Sequence, residues 1–202
     1  MIRFVATHGR SDNQHGRRRG EWIPIDSHRA PLTFIKGASP RELLLEASRR
    51  NNGALLSSIF TDLSSPSKIS NLINTATDGV GNTSLHLAAA HGSYEVLDTL
   101  LDQDGVEVDP LNRMERESPL HKAVKYARTD EEGAAAIVEM LLDAGADPTI
   151  RNTSGETPGD LIREEGKVRE VLRNAEVGAL LKDEVVVNDD DEGPTGSASD
   201  SD

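Results

Sequence analysis

Two four-residue boxes, Thr83-Ser84-Leu85-His86 and Ser118-Pro119-Leu120-His121, each open a stretch with the same apolar rhythm. A box that returns at this spacing constrains the fold more than any local propensity. Each unit is then one supersecondary element that buries its apolar side only against its neighbours, so the chain must stack. Such an array has no built-in enclosed site. It presents a long surface, which favours binding over catalysis.

The first box runs into Leu85-His86-Leu87-Ala88-Ala89-Ala90-His91-Gly92. Small residues on one face and a glycine in the left-handed cap position predict a short helix. Val96-Leu97 and Leu100-Leu101 follow, four residues apart, the spacing of a helix buried on one side. The unit is therefore a turn and two antiparallel helices. The second copy runs through Leu120-His121-Lys122-Ala123-Val124 and Ile137-Val138-Glu139-Met140-Leu141-Leu142 to Gly145-Ala146-Asp147-Pro148. A third opens at Gly155-Glu156-Thr157-Pro158 and continues through Leu161-Ile162 to Val168, Val171 and Leu172.

These segments resemble the ankyrin repeat, a turn plus two helices with a Thr-Pro-Leu-His box. Asp78-Gly79-Val80-Gly81-Asn82-Thr83-Ser84-Leu85-His86 fits its opening pattern, with Ser84 in place of Pro, and Leu141 to Pro148 fits its closing pattern. The resemblance covers roughly 39–175. It implies an all-α ankyrin-repeat solenoid of about four helix-turn-helix units, two inner repeats between two divergent caps. The overall layout is similar to small fungal ankyrin-repeat proteins of unknown function.

The caps are legible as departures. Leu44 to Asn51 aligns without gaps on Leu85 to Gly92, with Glu46, Ser48 and Arg49 replacing apolar or small residues. Polar replacements suit the outer face of a terminal repeat. Asn51 stands at the left-handed cap, and Ser39 before Pro40 marks a helix start. In the last unit Gly159-Asp160 replaces Leu-His, and Arg163-Glu164-Glu165 makes the first helix polar.

The spacing then breaks in three places. Thr83 to Ser118 is 35 residues and Ser118 to Thr157 is 39. Six extra residues fall between the helices of the second inner repeat, around 127–133, and read as a polar loop extension or, alternatively, a specific contact element. Three more lengthen the exit at 102–110. The finger that follows counts one residue short and has no glycine. Asn112-Arg113-Met114-Glu115-Arg116-Glu117 stands where its neighbours have Gly81 and Gly155. A side chain is costly at positive φ, so a different turn is expected there.

Composition sets the remaining limits. Of 202 residues, 3% are aromatic, and half of those (Phe4, Trp22, Phe34) precede the repeats, so the core is built from Leu, Val, Ile and Ala. No cysteine is present, which removes disulfides, thiolate catalysis and the common zinc sites and fits a cytoplasmic or nuclear protein. No run is long enough to span a membrane, and the N-terminus lacks the apolar core of a secretory signal. The net charge of −13 divides into +4 over 1–38, −9 over 39–182 and −8 over 183–202. Such a body repels nucleic-acid phosphates and attracts basic protein surfaces.

Three domains follow: a basic, disordered extension over 1–38, the repeat domain over 39–175, and a helix end with an acidic disordered tail over 176–202. Gly16-Arg17-Arg18-Arg19-Gly20 could touch RNA or acidic protein. In the tail, Val185-Val186-Val187-Asn188-Asp189-Asp190-Asp191-Glu192 resembles a SUMO-interacting motif, and Ser199 and Ser201 resemble sites of an acid-directed kinase.

The resemblance implies that Thr83, Leu85, His86, Ser118, Pro119, Leu120, His121, Thr157 and Pro158 are structural, with the box histidines as internal braces. It places partner contacts at the fingertips and first helices: Gly79, Val80, Asn82, Ala90 and His91; Met114, Glu115, Glu117, Lys125 and Tyr126; Thr153, Ser154, Glu156 and Glu164. Arg113 and Arg116 join them at the glycine-free tip, and Met114 and Tyr126 are the preferred anchors. No catalytic residue, metal site or cofactor is expected. The expected function is that of a monomeric adaptor binding a basic protein. The alternative is a dedicated chaperone or assembly factor shielding a basic client such as a ribosomal protein.

Overall fold

The computed structural model describes residues 37–163 and 165–185, with side chains described as far as Ala179. The 1–36 extension and the tail from Val186 onward, with its SUMO-type run and its serines, lie outside the described residues, as does Glu164. Within them the protein has eight α-helices and no strand. These are α1 (Pro40–Arg50), α2 (Gly53–Leu63), α3 (Pro66–Thr75), α4 (Ser84–His91), α5 (Tyr94–Leu101), α6 (Pro119–Tyr126), α7 (Glu131–Asp143) and α8 (Lys167–Val185). A 3-10 turn, Gly159–Leu161, stands before α8.

The helices form two layers. In the first, α1 packs on α4, α4 on α6, and α6 on the 3-10 turn. In the second, α2 packs on α5, α5 on α7, and α7 on α8. Leu44, Leu56, Leu85, Leu97, Leu100, Leu120, Ile137, Leu141 and Leu172 are fully buried between the layers. Each such side chain contributes about 2 kcal/mol by leaving water. Ala47, Ala88, Ala89, Ala123, Ala134 and Ala135 are buried with them, and their small size lets the backbones approach.

Local signals set the helix ends. Ser39 and Glu42 form a capping box at α1, and Asn51 closes it at φ 51°. Gly92 closes α4 at φ 70°. Its hydrogen faces the ring of Tyr126, so a methyl group there would collide with the phenol.

The structure departs from the sequence expectation in four elements. Helix α3 is additional to the repeat unit. Ser65-Pro66 starts it, and Ile69 and Ile73 bury its inner face. The longer exit at 102–110 reaches this helix. Asn74 Nδ2 donates to Gly105 O at 2.9 Å, and Glu107 N donates to Asn74 Oδ1 at 3.0 Å. The residues added near 127–133 are only partly loop. Asp130 caps α7, which has 13 residues against 8 in α5. Glu131 Oε1 then accepts from Lys167 N at 2.9 Å and so caps α8. Finally, the first helix of the last unit shrinks to the 3-10 turn, while α8 runs past 175 to Val185.

Candidate protein-binding surface

Three fingers project between the helix pairs, and each is folded around one Asx side chain. Asp78 Oδ1 accepts from Val80 N and Asn82 N, both at 2.9 Å. Asn152 Oδ1 accepts from Ser154 N at 2.9 Å and Glu156 N at 3.0 Å. In the central finger Asn112 Oδ1 accepts from Glu115 N and Glu117 N, both at 3.1 Å. The closing residue is therefore five positions on rather than four. The turn itself is one residue longer than its neighbours. The shortfall counted from the sequence belongs to the arm leading into it, between Asp109 and Asn112.

The residue before each closing position has positive φ: 92° at Gly81, 79° at Gly155 and 51° at Arg116. The glycine-free turn is longer and still keeps a left-handed residue. The fingers also touch. A Cβ at Gly81 would stand 2.7 Å from Arg113 N, and Thr153 N donates to Glu115 O at 2.8 Å. Arg116→Gly should raise the unfolding free energy by about 1 kcal/mol, because the side chain disfavours this backbone conformation. Urea denaturation checks it, and an unchanged or lower midpoint contradicts the strain.

Beneath the fingers the box histidines are buried at 0% exposure. His86 Nδ1 lies 3.1 Å from Thr83 N and 2.9 Å from Thr83 Oγ1, and Nε2 lies 2.8 Å from Glu117 O. A carbonyl can only accept, so Nε2 carries the proton and Nδ1 accepts. His121 repeats this with Ser118 and Glu156 O at 3.2 Å. Each imidazole thus ties its own box to the next finger. Burial holds His86 at about 4, below its ordinary 6.5, and lowers His121 as well. At the third box Asp160 Oδ2 takes the Thr157 N–H at 2.9 Å, where no further finger follows.

Glu117 is buried, not a fingertip contact, with 2% of its surface exposed. Its carboxylate pairs with Lys122 at 2.7 Å and with Lys125, and Lys122 also meets Glu115 at 2.7 Å. Burial pushes the Glu117 carboxyl upward. The two ammonium groups outweigh it and hold the group well below the ordinary carboxylate range. Both lysines are thereby committed to the finger they support.

The residues singled out from sequence divide accordingly. Met114 is 69% exposed and Val80 38%, and His91, Arg113, Arg116 and Ser154 are exposed. These lie on the fingers and the end of α4. Gly79 and Thr153 are exposed as well, whereas Asn82, Glu156, Lys125 and Tyr126 are already engaged. Asn82 Nδ2 donates to Asp78 Oδ2 at 3.1 Å, and its Oδ1 accepts from Asn112 Nδ2 at 2.9 Å. Glu156 supplies its carbonyl to His121 and a carboxylate oxygen 3.3 Å from Asn152 Nδ2. Lys125 is paired with Glu117, and half-buried Tyr126 packs against the core beside Gly92. Sequence reasoning passed over Leu111, 37% exposed at the base of the central finger. Its place just before Asn112 was the available signal.

Charge separates by layer. Helices α1, α4 and α6 with fingers 77–83, 111–118 and 151–157 carry eight cations and six carboxylates. Helices α2, α3, α5 and α7 with the segments 102–110, 127–130 and 144–148 carry thirteen acids against Lys68 and Arg128. The acidity of the repeats therefore sits mainly on the second layer, and with Asp160, Arg163 and Glu165 added the finger side is close to neutral.

Comparison with known proteins agrees with this architecture. The family model for ankyrin repeats, in three copies, matches residues 44–152. The chain is 43% identical over 146 residues to the ankyrin repeat-containing protein YGL242C of Saccharomyces cerevisiae, covering 70% of this chain and 81% of that protein. It is 38% identical over 87 residues to the E3 ubiquitin-protein ligase Ufd4 of Drosophila melanogaster, which is 43% of this chain but 3% of the ligase. It is 29% identical over 129 residues to the BRCA1-associated RING domain protein 1 of Caenorhabditis elegans, 62% of this chain and 17% of that protein.

Proposed function

Because the chain belongs to the ankyrin-repeat family, we propose that it is a non-catalytic, monomeric adaptor that holds a protein partner through its fingertips and the exposed end of its first helices. One observation carries this reading. Exposed side chains at Val80, Arg113, Met114 and Arg116 sit on fingers whose own polar groups are satisfied inside the scaffold. A binding surface held in its bound shape loses little entropy on association. The box histidines do not compete with it, since both ring nitrogens are used in bracing.

The second layer supports a further part of the proposal, a partner with a basic surface. Thirteen acids over α2, α3, α5, α7 and their connections steer such a partner. The same acids favour a second reading, a chaperone that shields a newly made basic client and then leaves it. Comparing nascent and mature pools of the partner separates the two, because an adaptor stays bound in both. The proposed setting is the cytoplasm, the nucleus or both.

Photo-crosslinking tests the surface. A photoreactive residue placed at Val80 or Met114 should trap the partner, whereas one at Tyr94 or Val177, exposed at 50% and 52% on α5 and α8, should not. Trapping only from Tyr94 and Val177 would move the interface to the second layer and sink the finger reading.

A further inference from the structure

The central finger differs from its neighbours in charge as well as length. Its two carboxylates are neutralised from below, Glu115 by Lys122, and Glu117 by Lys122 and Lys125. Its two guanidinium groups are not. Among the described residues Arg113 and Arg116 form no ion pair, and both are exposed on either side of Met114. Neither outer finger has a cation at its tip: the first is Gly79-Val80-Gly81 and the third is Thr153-Ser154-Gly155.

We infer that this tip is a grip for an acidic peptide segment of a partner protein, in which Arg113 and Arg116 take carboxylates and Met114 packs on the apolar side chain between them. The inference rests on the adaptor reading and names the chemistry of its central contact. Three features support it. Guanidinium groups match carboxylates with two parallel hydrogen bonds, and an unpaired guanidinium in a surface has that capacity to offer. A flexible, polarisable Met beside them adapts to different apolar side chains. The finger is also held on both flanks, by Gly81 against Arg113 and by Thr153 N on Glu115 O. The left-handed backbone at Arg116 adds weight. Glycine fills that position without strain in both neighbours, and strain of this kind is retained where the side chain has a use.

The grip accounts for opposite chemistries on one small molecule. The acids of the second layer steer a basic face of the partner on approach, and its acidic segment docks on the central finger.

The test uses the full chain and a fluorescent peptide, Gly-Asp-Glu-Leu-Glu-Asp-Gly, read by anisotropy at low ionic strength. The peptide with Lys in place of Asp and Glu serves as the control, alongside an oligouridylate of similar length. The acidic peptide should bind and the lysine peptide should not. The Arg113→Gln, Arg116→Gln double change should weaken binding by about tenfold or more. Met114→Ser should weaken it with the salt dependence intact. Arg116→Gly is the fold control: it should weaken binding while the urea midpoint rises.

Three results would overturn the proposal. These are equal binding of the lysine peptide, tighter binding of the oligouridylate, and acidic-peptide binding that survives the double change. Replacing Asp189, Asp190, Asp191 and Glu192 by their amides should leave the affinity unchanged. A tenfold gain would instead assign the tip to the chain's own tail. If the peptide fails while crosslinking at Met114 succeeds, the chemistry of the contact is wrong and the finger surface stands. If both fail, the adaptor surface falls with it.

Discussion

Lowering the pH from 6.5 to 4 should remove about 3 kcal/mol of stability through His86 alone. The sign follows from which state binds the proton. Buried His86 is neutral in the folded protein and is held at about 4, whereas the unfolded chain titrates near 6.5. The unfolded state therefore binds more protons in this window, and the stabilisation present above pH 6.5 is lost as the pH falls toward 4. His121 is lowered for the same reason and adds to the loss. Glu117, held low by its lysines, stays ionised in the folded protein while the unfolded chain begins to protonate it near 4.5, so it adds to the loss at the acid end of the window. Asp109, raised by burial, acts in the opposite direction on acidification. Protonating His86 would put a second proton on Nδ1, which now accepts from Thr83, so the capping box fails while Nε2 still donates to the Glu117 carbonyl. Urea midpoints across this range, with the imidazole resonances followed in parallel, decide the matter. A flat profile would show that the ring is not held neutral by burial.

Removing the Glu117 carboxylate should cost about 2–3 kcal/mol, just below the roughly 3–5 kcal/mol of a fully buried broken ion pair. The reduction reflects Lys125, whose head still reaches water, its side chain being 37% exposed. Lys122 is the more exposed to loss, since only 14% of its side chain is accessible and Glu115 would be its remaining partner. Glu117→Gln keeps the shape and removes the charge, so it isolates the electrostatic part. A cycle with Lys122→Met should return a coupling energy that changes little with salt, because screening acts weakly on enclosed pairs. Additive effects of the two changes would mean the pair contributes nothing as a pair.

The fold was legible because its signals are local. The two Leu-His boxes, Ser39-Pro40, Asn51 and Gly92 each fix a helix end within a few residues, and the repeat multiplies them. Helix α3 carried equally local signals in Ser65-Pro66 and in Ile69, Leu72 and Ile73 at helical spacing. It was missed because the segment falls between units and aligns with no other copy. The extra residues at 102–110 and 127–133 could be counted but not explained. Their reasons are partners far along the chain, Asn74 for one and the start of α8 for the other.

The candidate surface was harder for the same reason. Exposure of Met114 and Arg113 follows from their place on a finger, and is readable. The commitment of Lys125 to Glu117, or of Asn82 to Asn112, depends on how one finger sits beside the next. The apparent shortness of the central finger came from measuring it from Asp109. The side chain that organises it is Asn112.

The division of charge between the layers makes the folded repeats electrically lopsided, with the negative end on α5 and α7 and the finger side close to neutral. A dipole feels a torque in an uneven field before it touches anything. Near an anionic surface the repeats turn fingers first, and near a cationic one they turn helices first, although the net charge of −13 is the same in both encounters. Orientation on approach is then set by the partner's sign, and salt abolishes it.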